Sequence, residues 1–179
     1  KLTSAEKGTA MHTVMQHIPL KTDVTAASLL ELCSSLITRE ILTEKEASSI
    51  NINGLLSFFE SEVGQRLQQA PSVYREMPFS FSAKASELEQ NWEGKEEPVL
   101  IQGIIDCLFR DEKGVVLLDF KTDDISNRFQ GTFEKARDTL LSRYKTQLNL
   151  YTRAVEEIGS IHISERYLYF FDGGHFLSL

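Results

Sequence analysis

Between Val99 and Thr122, two runs rich in Val, Ile, Leu and Phe flank the polar tetrapeptide Asp111-Glu-Lys-Gly114. That pattern commits this part of the chain to two antiparallel strands joined by a tight turn. Charges inside the runs narrow the possibilities further. Asp106, Asp119 and Lys121 lie where the strands are apolar enough to be central, and an uncompensated charge there costs on the order of several kcal/mol. With the turn centred between Glu112 and Lys113, Asp106 falls opposite Asp119, and Lys121 shares the face of Asp119 because side chains alternate with period two. A bulge at Gly114 would slide the register by one and set Phe120 opposite Asp106. In the first register two carboxylates repel. A divalent cation between them, beside a lysine, makes a centre suited to phosphodiester cleavage. The competing reading is a structural ion pair whose lysine reaches out to water.

The chain has 179 residues, 41% of them hydrophobic, which is material for one domain over residues 1–179 with a sizeable core. Twenty-six acidic against nineteen basic residues give a formal net charge of -7, unlike a stand-alone nucleic-acid binder. A nuclease is still compatible with that balance, because carboxylates that hold metal add negative charge and attached domains can supply the steering. Cys33 and Cys107 are far apart and offer neither a disulfide framework nor a zinc or iron-sulfur ligand set. The expected setting is a reducing cytoplasm. No charged-then-apolar leader follows Lys1, and no apolar run approaches the ~20 residues of a membrane helix, so the reading is of a soluble protein. Phosphate-loop and serine-elbow motifs are also missing, which removes the local signals of nucleotide hydrolysis and serine chemistry.

Thr3-Ser-Ala-Glu6 has capping-box spacing, and Met11, Val14, Met15 and Ile18 recur at helical intervals, predicting a first helix over roughly residues 4–17. Gly8 and His12 are four apart on that helix, beside the apolar stripe. A glycine inside a helix costs about 1 kcal/mol relative to alanine, so its return is a close approach, either of packed chain or of a ligand beside His12. Thr25 opens a second helix and Thr43 a short third one; Asn53 is expected to cap a longer one that runs through Leu67 to Pro71. The period then changes to two. Val73, Met77, Phe79 and Phe81 are placed on one strand face, with Tyr74, Glu76, Pro78 and Ser80 on the other, where Glu76 either supports the charged centre or stands in solvent. Lys84 to Pro98 reads as a solvated loop with a short helical turn, in which Trp92 either stacks on a base or, more commonly for a tryptophan, pins the loop to the core. Thr122 to Gly131 reads as a polar, mobile connection. A long helix from about Phe133 to Gly159 carries Tyr144, Gln147 and Tyr151 as a polar-tipped stripe, and a hairpin turning at Asp172-Gly-Gly174 closes the chain. His17, His162 and His175 have no ligand-spaced neighbours and are taken as surface or turn residues.

The predicted fold class is α/β: helices, a three-strand meander, a long helix and a further hairpin. Four ordered motifs, Gly8-Thr-Ala-Met-His12, Gly103-Ile-Ile-Asp106, Asp119-Phe-Lys121-Thr122 and Gln147-Leu-Asn-Leu-Tyr151, resemble those of the RecB-type nuclease domain of the PD-(D/E)XK superfamily. The likeness extends over essentially the whole chain. It is greatest to the C-terminal nuclease domains of AddA-type (RexA-type) helicase-nucleases, and the lack of cluster-binding cysteines points away from AddB-like and Cas4-like members. The resemblance implies a restriction-endonuclease-like αβββαβ core, its mixed central sheet flanked by helices, with additional N-terminal helices. It implies a metal held by His12, Asp106, Asp119 and the Phe120 backbone carbonyl, with Lys121 acting on the attacking water and Gln147 and Tyr151 positioning the lysine or the scissile strand. Oxygen ligands with one imidazole favour Mg2+ or Mn2+. The implied activity is exonucleolytic DNA hydrolysis in a complex that processes double-strand breaks for recombination. Single-stranded DNA would be delivered by a helicase, and the implied protein partner is AddB-like. The alternative is a DNA-end-binding or docking module that keeps the fold without cleaving.

Overall fold

A computed structural model describes residues 2–88, 92–129 and 132–179. Residues 89–91 of the Lys84–Pro98 loop and 130–131 of the Thr122–Gly131 connection lie outside the described residues. Helix α1 spans Ser4–His17 and is closed at its start by the expected capping box: Thr3 accepts from the Glu6 amide while the Glu6 carboxylate takes the Thr3 N–H. Helices α2 (Ala26–Thr38) and α3 (Glu44–Ala47) begin with the same reciprocal device at Thr25 and Thr43. Their apolar faces then pack together.

The next helix is two helices, α4 (Ile52–Glu60) and α5 (Glu62–Gln69), and its cap is Asn51 rather than the expected Asn53. Asn51 Oδ1 accepts from the Gly54 amide at 2.9 Å while its Nδ2 donates to the Phe171 carbonyl at 2.9 Å, so a long-range contact fixes which asparagine caps. Ser61 ends α4 and starts α5, donating to the Phe58 carbonyl and accepting from the Gly64 amide. The break depends on Gly64, where a Cβ would come within 2.0 Å of the Phe58 carbonyl oxygen.

Strands β1 (Ser72–Lys84), β2 (Pro98–Asp111) and β3 (Gly114–Lys121) form the expected antiparallel meander, with the four-residue helix α6 (Ala85–Leu88) following β1. The β2–β3 ladder runs from Asp111 opposite Gly114 to Cys107 opposite Leu118. This is the unbulged register, which leads on to Asp106 facing Asp119. Helices α7 (Ile125–Arg128) and α8 (Phe133–Gly159) cross over to β4 (Glu165–Phe170), parallel to β3, and β5 (His175–Ser178) returns antiparallel. The mixed sheet has the order β1-β2-β3-β4-β5.

Period-two alternation along the central strands divides the core in two. Val116, Leu118, Phe120 and Tyr169 pack against helices α1 to α5, while Val115, Leu117, Leu168 and Phe170 pack against α7 and α8. Helices therefore cover both faces of one sheet. Strand β1 departs from the single-face expectation. Val73 packs on the α1–α5 side but Met77 and Phe79 pack on the α8 side, because Glu76 sits at φ +51° and turns the strand over. Trp92 does not join either core; it is 42% exposed and donates to the Lys95 carbonyl at 3.0 Å. The connection after β3 is anchored, since Ile125 is buried and Ser126 donates twice to Asp172. Among the described residues no helix is long and apolar enough to cross a membrane.

Candidate active site

The apolar stripe of α1 fixes the place of His12: Met11, Val14 and Met15 are buried in the first core, which leaves His12 at the edge of the sheet. Gly8 sits one turn earlier. A Cβ there would lie 3.1 Å from Thr122 Oγ1, so the close approach anticipated for this glycine is to the chain leaving β3. His12 Nδ1 lies 3.3 Å from Asp106 Oδ1. The other Asp106 oxygen accepts from the Phe120 backbone N–H at 2.7 Å. That bond explains why the ladder stops at Cys107 and Leu118: one residue further the Asp106 side chain takes the backbone donor. Glu76 completes the group, for the β1–β2 register pairs Arg75 with Cys107 and Met77 with Ile105 and so leaves Glu76 across from Asp106. Donor atoms of His12, Glu76 and Asp106 all lie within 4.8 Å of one another.

Asp119 and Lys121 share the other face of β3, as period two requires. Asp119 is buried and ion-paired with Lys121, yet its Oδ2 has no hydrogen bond. Lys121 Nζ donates to Gln147 Oε1 at 2.7 Å and stands 4.2 Å from the centre of the Tyr144 ring. Gln147 in turn donates from Nε2 to the Tyr151 hydroxyl at 2.7 Å. Tyr144 is tied by its own hydroxyl to Asp123 Oδ2 at 2.7 Å. Gly103 lets this side close, because a Cβ there would lie 2.7 Å from the Phe79 ring and 3.3 Å from that of Tyr151.

Negative charge outweighs positive in this space. Burial and the neighbouring Asp106 push the Asp119 carboxyl up to about 6, against the pull of Lys121 and His12. Burial and Asp106 likewise raise Glu76, with His12 opposing. For His12 burial disfavours the imidazolium, but the Asp106 hydrogen bond and the charges of Asp106, Glu76 and Asp119 prevail and hold its pKa above the ordinary value. Three carboxylates therefore share one lysine and one histidine. A divalent cation meets that deficit, and an imidazole nitrogen with carboxylate oxygens is a donor set that fits Mg2+ or Mn2+.

Every residue singled out in the sequence reaches this region: His12, Asp106, Asp119, Lys121, Gln147 and Tyr151, with Phe120 making its contact to Asp106 through its amide N–H. Glu76 is the residue that sequence reasoning left undecided. Its signal was Arg75, a charge standing on the apolar parity of Val73, Met77, Phe79 and Phe81. In the structure Arg75 donates to the Met15 and Ile18 carbonyls at the end of α1, on the side opposite Met77.

A family model described as the PD-(D/E)XK nuclease superfamily matches residues 1–174. The chain is similar to the A-type subunits of the ATP-dependent helicase/nucleases of several Bacillus species. It is 45% identical to that of Bacillus cytotoxicus over 179 residues, 99% of this chain and 14% of the relative. Identity to the Bacillus cereus strain G9842 protein is 46% over 179 residues, again 99% and 14%. For Bacillus licheniformis it is 49% over 176 residues, 98% of this chain and 14% of the relative. The chain thus spans about 14% of the length of the curated relatives it matches.

Proposed function

Because the chain belongs to the PD-(D/E)XK nuclease superfamily, we propose that it hydrolyses DNA phosphodiester bonds with Mg2+ or Mn2+. In this reading it is the C-terminal exonuclease domain of a larger helicase-nuclease protein. The observation that carries the proposal is the meeting of Asp106, Asp119 and His12 beside a lysine that two α8 side chains hold in place. His12, Asp106, Asp119 and the Phe120 carbonyl would hold the cation. Once bound, it supplies Lewis acidity that neutralises phosphate charge and acidifies a water.

The chain's own groups supply the rest. Lys121 brings the cationic charge to the side of Asp119 where a phosphate would lie, orients the attacking water and stabilises the charge that develops on the phosphoryl oxygens. Gln147 restricts the swing of Lys121 by accepting one of its protons, and Tyr151 restricts Gln147 by accepting from its amide. Tyr144 lies against the ammonium and keeps water from surrounding it on that side. Asp106, held by the Phe120 N–H, keeps its other oxygen turned toward His12.

The relatives' name, which joins helicase and nuclease, supports a place beside a helicase that delivers single-stranded DNA. It also supports an AddB-like partner in the processing of double-strand breaks for recombination. The test incubates the chain with single-stranded DNA and Mg2+ or Mn2+. Cleavage is expected with the parent chain and expected to vanish in Asp119→Ala and Lys121→Ala. No metal-dependent cleavage, or cleavage that survives both substitutions, overturns the reading.

A further inference from the structure

We infer that Glu76 is itself a cation ligand, so that the centre takes a carboxylate from β1 in addition to those of β2 and β3. This rests on the nuclease reading above and adds a donor to it. Three observations converge. Glu76 occupies the left-handed backbone region at φ +51° in the middle of a 13-residue strand, a conformation that glycine would adopt freely and glutamate adopts at a cost. Its carboxylate makes no hydrogen bond or ion pair among the described residues, so no protein partner accounts for keeping a charged side chain there. And that carboxylate stands with His12 Nδ1 or Nε2 and an Asp106 oxygen inside a 4.8 Å span, close enough for one cation to bridge all three.

The left-handed turn is what delivers the group. An unbroken strand would alternate, sending Glu76 to the face opposite Arg75. With the turn, Arg75 and Glu76 both lie toward α1, and Met77 begins the face that packs on α8. The opposing strand yields at the same level, where Asp106 leaves the ladder to take the Phe120 N–H. A second sign of a missing partner lies alongside. Asp119, 2% exposed, keeps an Oδ2 with no hydrogen bond, and its carboxylate is close enough to Asp106 and His12 to feel both. Asp106 therefore stands between two sets of donors, His12 with Glu76 on one side and Asp119 on the other.

The test is a calorimetric titration of the purified chain with Mn2+, run beside Glu76→Gln, Glu76→Gly and Asp106→Asn, with thermal melting of each metal-free protein. Glycine accepts the positive φ, so Glu76→Gly is expected to melt no lower than the parent while losing the carboxylate; it decides the matter if the glutamine variant folds poorly. Both Glu76 variants are expected to bind Mn2+ at least about 10-fold more weakly. Unchanged affinity in both, with binding lost in Asp106→Asn, overturns the role of Glu76 and leaves the nuclease reading standing. No Mn2+ binding by the parent chain overturns both.

Discussion

At the scale of single residues, the decisive arrangement is a relay that ends on one ammonium group. Lys121 is held by Asp119 in its own strand and by Gln147 from α8, and Gln147 is held by Tyr151 one turn further on. Gln147→Leu keeps the volume but removes the acceptor, and is expected to lower single-turnover cleavage of single-stranded DNA by roughly 10- to 100-fold without altering the melt. Tyr151→Phe removes only the outer acceptor and is expected to cost a few-fold at most, about 1 kcal/mol or less. Equal rates for parent and Gln147→Leu would remove the positioning role. His12, Asp106, Asp119 and Lys121 were legible in the sequence because charge inside an apolar strand or a glycine inside a helix is costly enough to need a reason. Glu76 was not legible. Its position depends on a backbone angle that costs about 1–2 kcal/mol for a residue with a Cβ, and pattern reading assumes that strands do not spend energy in that way.

At the scale of elements, local chemistry set the boundaries it could reach and failed where a distant contact chose between local options. Three capping boxes gave the starts of α1, α2 and α3, each within four residues of chain. Asn53 was the wrong cap because Asn51 also reaches the Phe171 carbonyl, 120 residues away, and the break at Ser61 rests on the approach of Gly64 to a carbonyl of the preceding helix. The same kind of distant contact fixes α5 to the sheet. Arg66 makes paired hydrogen bonds to Asp111 at the end of β2 and to Glu165 at the start of β4. All three side chains are largely buried, and Arg66, by hydrogen-bonding each carboxylate, lowers the pKa of Asp111 and of Glu165. Arg66→Met leaves two half-buried carboxylates facing each other and is expected to cost about 2–3 kcal/mol at neutral pH. The pH dependence follows from the direction of those shifts. Carboxyls depressed in the fold contribute stability above their unfolded pKa values, near 4, and lose it as pH falls through the folded ones. Denaturant unfolding should therefore show a gap between parent and variant that is full at pH 7 and shrinks toward about pH 3. A gap independent of pH would mean that Arg66 acts through packing alone.

At the scale of the whole molecule, two separate hydrophobic cores meet along one sheet, and the charged residues gather where the sheet opens between β2 and β3. Mixed α/β architecture was legible because alternation and helical period differ so plainly in this chain. That the cores are separate was less so, since it depends on which strand residues face which layer. The opening has a thermodynamic consequence for a chain of net charge -7: carboxylates of Glu76, Asp106 and Asp119 are brought together by folding, and their repulsion is set against the burial of both cores. A cation bound only by the folded chain returns that energy in proportion to its occupancy, by about 2.7 kcal/mol at 100 times its dissociation constant. For a domain of this size each kcal/mol moves the melting midpoint by roughly 2–4 °C. Mn2+ at that excess should thus raise the midpoint by roughly 5–10 °C, and a chelator should return it to the starting value. Sodium chloride at matched ionic strength should produce much less, because screening acts on the whole acidic surface and not on one site. Asp106→Asn can keep its acceptor for the Phe120 N–H through the amide oxygen, so it should fold, yet the Mn2+ response should be lost. If Asp106→Asn responds to Mn2+ as the parent does, the stabilisation comes from the general surface charge and the opening between β2 and β3 holds no cation.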